Sequence, residues 1–452
     1  MEPKNYDYVI IGGGPTGLTL AYLLAKQRKQ VLLLERNSSL GGCHRVDYTP
    51  NGPSEHGPRI YTDTMINLKR LLEELDVGWN DIFVPYHFSI KNIIGKFSKT
   101  LLLRIGLQLL LYWFNLSYKG TVADWSRKLN KYDKDLLDRL CRLIDGGDAQ
   151  RFPMDSFLKT IDQNTTSTTY QPNESGIVIK KLVEKIDRNF VDIITDANIN
   201  YSLVLSRKII IVNNSTHTFE NLILAIPPKS LYDLKNNLPI EKLWPKLTFD
   251  WVQRNSYNDY ITIEYVAKKK IKQTSYGIGM GRLGVTLIVV SDYWRDVEGT
   301  VITVSTSKTE NIKSNTVEDL VKEVWSEVLK IQSNLEYDSY QVCSGVYYYV
   351  GANNRGSWKS YDTAYFKAYD EENFIHPDAI DYNWISWVGT HNGNYMYADT
   401  SIDTAISSAY YFLGHPLLRK TITLGQKILI FLLLCVIITL LLVQKKIRII
   451  RH

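Results

Sequence analysis

Tyr8-Val-Ile-Ile-Gly-Gly-Gly-Pro-Thr-Gly17 decides the fold, together with the helix-forming run Leu18 to Gln27 and the stretch Val31-Leu-Leu-Leu-Glu35 that follow it. An apolar strand enters a glycine turn, a helix leaves it, and a second apolar strand ends on an acid about 20 residues beyond the glycines. That order predicts a β-turn-α-β unit built to hold a dinucleotide. Gly12 permits the tight turn, Gly14 lets the backbone approach a pyrophosphate, and Gly17 lets the helix pack closely on the sheet. Pro15 and Thr16 complete the turn and belong to the expected cofactor-contacting set. The free amides at the helix N-terminus stabilise the phosphates, and the Glu35 carboxylate is expected to accept hydrogen bonds from both ribose hydroxyls of the adenosine half. An acid at that place disfavours a 2′-phosphate.

Working outward, the 452 residues are 44% hydrophobic and 22% charged, enough for a large core divided into two interleaved domains. The net charge of +6 is modest for this length, and Lys and Arg read as scattered, which argues against nucleic acid as a partner. Cys43, Cys141, Cys343 and Cys435 lie far apart and form no C-x-x-C pair, so neither a disulfide framework nor a metal site is indicated.

The first residues are polar and carry no signal-peptide pattern, so the body is expected in the cytosol. At the other end, Ile428 to Val443 is an unbroken apolar run that covers roughly 24 Å as a helix. Adding Ile422 to Lys427, with the lysine reaching the headgroups, supplies a bilayer's length. The reading is one transmembrane helix over 422–444, a short basic tail over 445–452, and the lipid bilayer as a partner.

After Glu35-Arg36 comes Asn37-Ser-Ser-Leu-Gly41-Gly42-Cys43-His44-Arg45, and here the chain resembles the flavin-containing amine oxidase superfamily. Members such as monoamine oxidase, protoporphyrinogen oxidase and phytoene desaturase carry a strand-end Glu-Arg and then a Gly-Gly-Arg turn at the FAD diphosphate. The resemblance assigns Arg36, Gly41 and Gly42 to that contact; Cys43 stands where the arginine usually is, leaving Arg45 or His44 to supply the cation. Ser54-Glu-His-Gly57-Pro58-Arg59 resembles the Glu-Leu-Gly-Pro-Arg stretch that passes near the isoalloxazine. Ile209 to Val212 and Asn221 to Pro228 resemble the second FAD-domain segment, the latter read as a strand whose proline pair forbids helical continuation. Trp387-Val-Gly389-Thr390-His391 and Asp399-Thr-Ser401-Ile402-Asp-Thr-Ala405 resemble the closing motif, a strand and then a helix starting beneath the flavin. Thr400 or Ser401 is expected to cap that helix, with free amides around Ile402 and Asp403 facing flavin N1 and O2. The resemblance implies FAD, and the lack of a cysteine between Cys343 and Cys435 implies that it is bound non-covalently. Where many amine oxidases carry a lysine near flavin N5, this chain offers Tyr260.

The fold class is therefore α/β, a Rossmann-type (GR2-like) FAD-binding domain over 1–84, 175–238 and 375–414, interleaved with an α+β substrate domain over 85–174 and 239–374. In the first insertion, the run Leu101 to Leu116 has Arg104 and Gln108 on one face and is read as a buried helix, with a surface dipping into lipid as the alternative. The second alternates strands at Tyr260–Val266, Val285–Val290 and Val301–Ser305 with an amphipathic helix, Val317–Ile331. Arg59, His391, Tyr395 and Tyr397 are the candidate catalytic residues. The expected function is a membrane-anchored FAD-dependent oxidoreductase moving hydride from an amine-bearing or apolar small molecule to flavin N5, with oxygen or quinone as acceptor. A binding protein that keeps the fold without turnover, and an FAD-dependent nucleotide-sugar mutase, are the alternatives.

Overall fold

A computed structural model describes residues 4–49, 52–55, 57, 59–86, 91–145, 148–150, 152–165, 167–254, 260–271, 283, 285–291, 299–306, 311–312, 316–330, 333–343, 347–352, 355–360, 378–379, 381–389, 398–413 and 424–450. Along the chain come β1 (Lys4–Ile11), α1 (Pro15–Lys26), β2 (Val31–Leu34), the hairpin β3 (Val46–Thr49) and β4 (Gly52–Glu55), and α2 (Ile66–Glu74). A helical stretch follows with α3 (Lys99–Trp113), α4 (Lys131–Asp145) and α5 (Met154–Asn164). Then come β5 (Val191–Ile194), β6 (Ile209–Val212), β7 (Ser215–Leu224), β8 (Ile261–Ala267), β9 (Val285–Ser291), β10 (Thr300–Thr306) and α6 (Val317–Leu329). The last elements are β11 (Tyr337–Cys343), β12 (Tyr382–Trp387), α7 (Ala398–Leu413) and α8 (Leu424–Ile450).

The principal sheet runs β12-β7-β1-β2-β5, all parallel along this path. Parallel sheets are covered on both faces, so their strands are apolar at every position instead of alternating. β1 and β2 obey this: Tyr8, Ile10, Val31 and Leu33 join one core with α1, α2 and α7, while Val9, Ile11, Leu32 and Leu34 join another with Trp244 and Trp387. Chain order reverses at β1, with β2 and β5 on one side and β7 and β12 on the other. The crevice beyond the carboxyl ends of β1 and β2 is thus a topological switch point, where ligands bind in open α/β sheets. One expectation is corrected here: Pro227 and Pro228 do not keep the chain from turning helical after β7, because a short helix, Pro228–Asp233, starts on Pro228, where a missing N–H costs nothing.

The second sheet, β9-β10-β8-β11, is antiparallel. Its apolar face, carrying Ile261, Ile263 and Tyr265, packs on Leu320, Val324 and Val328 of α6, and Tyr265 Oη donates to Val321 O at 2.7 Å. Burial raises the Tyr265 phenol well above the usual tyrosine range, with Tyr337 and Tyr340 adding to it.

Two helices depart from the reading of the sequence. In α3 only Leu101 and Ile105 are buried, and Leu103, Leu107, Leu110 and Phe114 stand exposed on one stripe. Periodicity shows which positions share a face, not what covers it. The expected span over 422–444 is also corrected: among the described residues no helix is long and apolar enough to cross a membrane. The helix itself runs Leu424–Ile450.

At the edge of the first sheet Tyr6 Oη donates to Asp192 Oδ2 at 2.6 Å, Lys4 pairs with Asp192, and the Tyr6 ring stands edge-on to His217. His217 is buried with neither ring nitrogen hydrogen-bonded among the described residues. Burial lowers its pKa below the ordinary 6.5, Asp192 pulling the other way and Lys4 reinforcing the drop. Below pH 6.5 the unfolded chain therefore binds a proton that the folded one resists, and stability declines as pH falls. Denaturant unfolding of His217→Phe should lose less stability than the parent between neutral pH and pH ~5; equal slopes would refute it.

Candidate dinucleotide-binding site

The cradle is backbone before it is side chain. Gly12 has φ +113, and a Cβ there would lie 2.3 Å from Ala225 O; a Cβ on Gly17 would lie 1.9 Å from Gly12 O. Only glycine lets β1, α1 and β7 approach this closely. Gly12 N donates to Leu34 O at 2.8 Å and Ala225 N to Ile11 O at 2.8 Å, tying the turn to both neighbouring strands. Gly14 precedes α1 in an extended conformation, with no side-chain cap and no acid in the first turn. The positive end of α1 is left uncompensated, as an anion site requires.

Glu35 is 6% exposed. Its Oε2 accepts from Gly13 N at 2.8 Å, and its Oε1 from Asn37 N at 2.9 Å and Asn37 Nδ2 at 2.8 Å. A carboxylate offers about four lone pairs, two per oxygen. Oε1 is filled and Oε2 keeps one acceptor position, so a grip on both ribose hydroxyls needs the Asn37 amide to yield. Arg36 is exposed beside it.

The second glycine turn closes on the first. Gly41 N donates to Gly13 O at 2.8 Å, Gly41 and Gly42 have φ +115 and +56, and a Cβ on Gly42 would meet Gly14 Cα at 2.9 Å. The two turns thus pack backbone against backbone, with no side chain between them. Arg45 is half-buried at the exit of the turn. Arg59 donates to Cys43 O and pairs with Glu55 at 3.7 Å. Glu55, itself buried, accepts from Ser175 Oγ at 3.0 Å and Gly176 N at 2.9 Å. Arg59 is therefore a brace between β4 and the second turn. Pro58 lies outside the described residues.

Thr16 Oγ1 donates to Ser401 O at 3.2 Å, so the first turns of α1 and α7 meet at the cradle. The closing helix begins at Ala398, three residues ahead of Ser401. Ile402 and Asp403, expected as amide donors, follow Ser401 within this helix. Ser401 and Ile402 are buried, Gly389 is buried just beyond β12, and Thr390, His391, Tyr395 and Tyr397 lie outside the described residues.

Over Gly57 sits the polar face of the second sheet, with Tyr260 Oη and Thr262 Oγ1 both 3.6 Å from where a Gly57 Cβ would be. Thr262 Oγ1 and Ser305 Oγ are hydrogen-bonded at 3.0 Å, and Gln341 joins the buried Glu264 to Pro53 O. Thr262, Glu264, Ser305 and Gln341 are not among the residues expected from the sequence. The signal was the alternation Ile261-Thr-Ile-Glu-Tyr265, which puts both polar residues on one face.

Residues 10–75 match the family model described as an NAD(P)-binding Rossmann-like domain. Over 92 residues the chain is 34% identical to amine oxidase [flavin-containing] A of Canis lupus familiaris, covering 19% of this chain and 18% of that protein. The chain's match thus spans about a fifth of the length of that relative. Putrescine oxidase in its putrescine-bound structure superposes with a TM-score of 0.68 at 13% identity, over 91% of this chain and 99% of that one. Cyclohexylamine oxidase from Brevibacterium oxydans IH-35A gives 0.63 at 13% identity, over 90% and 99%. From the glycine cradle to the sheet above it, the chain therefore has the fold of the flavin-containing amine oxidase superfamily.

Proposed function

We propose that this chain is an FAD-dependent oxidoreductase that oxidises an amine-bearing or apolar small molecule, with the flavin held non-covalently and oxygen or a quinone as the terminal acceptor. One observation carries the reading: the turn from Gly12 to Gly17, closed by the turn of Gly41 and Gly42, leaves the N-terminus of α1 uncompensated beside the buried carboxylate of Glu35. A helix N-terminus free to face an anion, beside an acid able to hold a ribose, is what the nucleotide half of FAD requires. FAD held by this turn and Glu35 would supply a two-electron, hydride-accepting centre. The protein's part is orientation. The α1 amides and Glu35 hold the nucleotide half, the first turn of α7 sets positive potential at the far end, and Tyr260, Thr262 and Ser305 border the volume above Gly57. His391, Tyr395 and Tyr397 are proposed for the substrate side because they directly precede α7 in sequence.

We also propose that α8 fastens the body to the cytosolic face of a membrane. Its described side chains from Leu429 to Leu441 are aliphatic or aromatic apart from Cys435 and Thr439, and all stand exposed. A helix that is apolar all round is stable only in an apolar surrounding. The enzyme reading is tested by mixing flavin-loaded protein, without oxygen, with polyamines, aromatic amines and porphyrinogens. Bleaching of the flavin band by one class is expected; a loaded protein that none of them bleaches contradicts the proposal.

A further inference from the structure

We infer that the exposed face of α3 rests on an anionic phospholipid surface, as an interfacial contact beside α8; this rests on the membrane reading above. Leu103, Leu107, Leu110 and Phe114 recur at helical spacing along one stripe, with Leu102 and Leu116 at its sides, and all are exposed. The opposite face, Leu101 and Ile105, is packed into the core of α4 and α5. A stripe this apolar on an otherwise folded surface marks an interaction site.

What covers it is indicated by its surroundings. The root of α8 is fixed to this helix: Gly425 N donates to Asp162 Oδ1 of α5 at 2.8 Å in a buried bond, and the Trp113 ring at the end of α3 lies so close that a Cβ on Gly425 would meet Nε1 at 2.0 Å. The aliphatic helix thus leaves the body where the stripe ends. Charge points the same way. Between 91 and 131 the sequence holds eight Lys and Arg and one acid, Asp124, which is more positive charge than the net +6 of the whole chain. Lys96, Lys99, Lys119, Arg127, Lys128 and Lys131 are all exposed. Tyr118 and Tyr132 are exposed among them, placed as tyrosines sit at headgroup level. An apolar stripe within a basic collar fits the boundary between acyl chains and acidic headgroups.

The test uses the full chain on vesicles of phosphatidylcholine and phosphatidylserine that carry a phospholipid with a photoreactive tail, with lipid adducts mapped by mass spectrometry after irradiation. Adducts within 102–116 as well as within 429–441 are expected, the former weakening when phosphatidylserine is omitted. The double variant Leu107→Glu/Phe114→Glu, at two exposed positions, should reduce the α3 adducts about tenfold while leaving those of α8 and bound flavin unchanged. Adducts on α8 alone would overturn the α3 contact and leave the anchor standing. Adducts on neither would overturn the anchor too, and α3-to-α3 links between two copies in place of lipid adducts would assign the stripe to self-association.

Discussion

Gly17→Ala should yield a chain that no longer retains flavin and unfolds with a stability lower by about 3–4 kcal/mol. The added methyl would sit 1.9 Å from Gly12 O and 3.1 Å from Gly12 C, atoms of the backbone that cannot rotate aside. Relief requires α1 to move away from β1, and two costs follow. α1 buries Leu18, Leu20, Ala21 and Leu24 against the sheet, so a shift opens space in a close-packed core. The same shift displaces the uncompensated helix N-terminus, and with it the amides proposed to face the phosphates. Denaturant titration and the flavin content of purified protein read the two effects separately. A variant of parental stability and full flavin content would mean that the tight approach of helix and turn is not required.

Glu35→Ala is expected to weaken flavin binding about 10- to 100-fold, corresponding to ~1.4–2.8 kcal/mol. The loss has two sources. The ribose loses its acceptor, and the donors Gly13 N, Asn37 N and Asn37 Nδ2, all bonded to this carboxylate, lose their partner inside the fold. Glu35→Gln separates them: an amide keeps one acceptor oxygen but brings an NH2 against donors, so it should bind flavin more weakly than the parent and more tightly than the alanine variant. Equilibrium titration with flavin fluorescence gives the order, and equal affinities for all three proteins would remove Glu35 from the site.

The first unit was legible because its determinants are local. The span Val31–Leu34 and the glycines of the turn are given by residues within about thirty positions of each other, and the structure keeps them in register with β5 and β7. Elements that depend on distant partners were less legible. The alternation of β8 puts Thr262 and Glu264 on one face, but a polar face reads as a solvent face until β4 is known to lie over it, with Gln341 donating to Pro53 O. The leucines of α3 read as buried for the same reason in reverse, since sequence gives the stripe and not its cover. The start of α7 was placed late because Thr400 and Ser401 are good capping residues, whereas the helix begins at Ala398 and uses the Ser401 carbonyl to receive Thr16 and Thr404. Glu55 gave no sign in sequence of its part, because Ser175 and Gly176, the donors it holds, lie some 120 positions away.

If a flavin dinucleotide lies with its diphosphate at the first glycine turn and the N-terminus of α1, the flavin stoichiometry and affinity of the purified chain will show it. The account predicts a yellow protein carrying about one FAD per chain, released intact by acid precipitation and taken up again by the stripped protein, with no uptake by Gly17→Ala. A well-folded chain that holds no flavin nucleotide and takes none up on titration would contradict it.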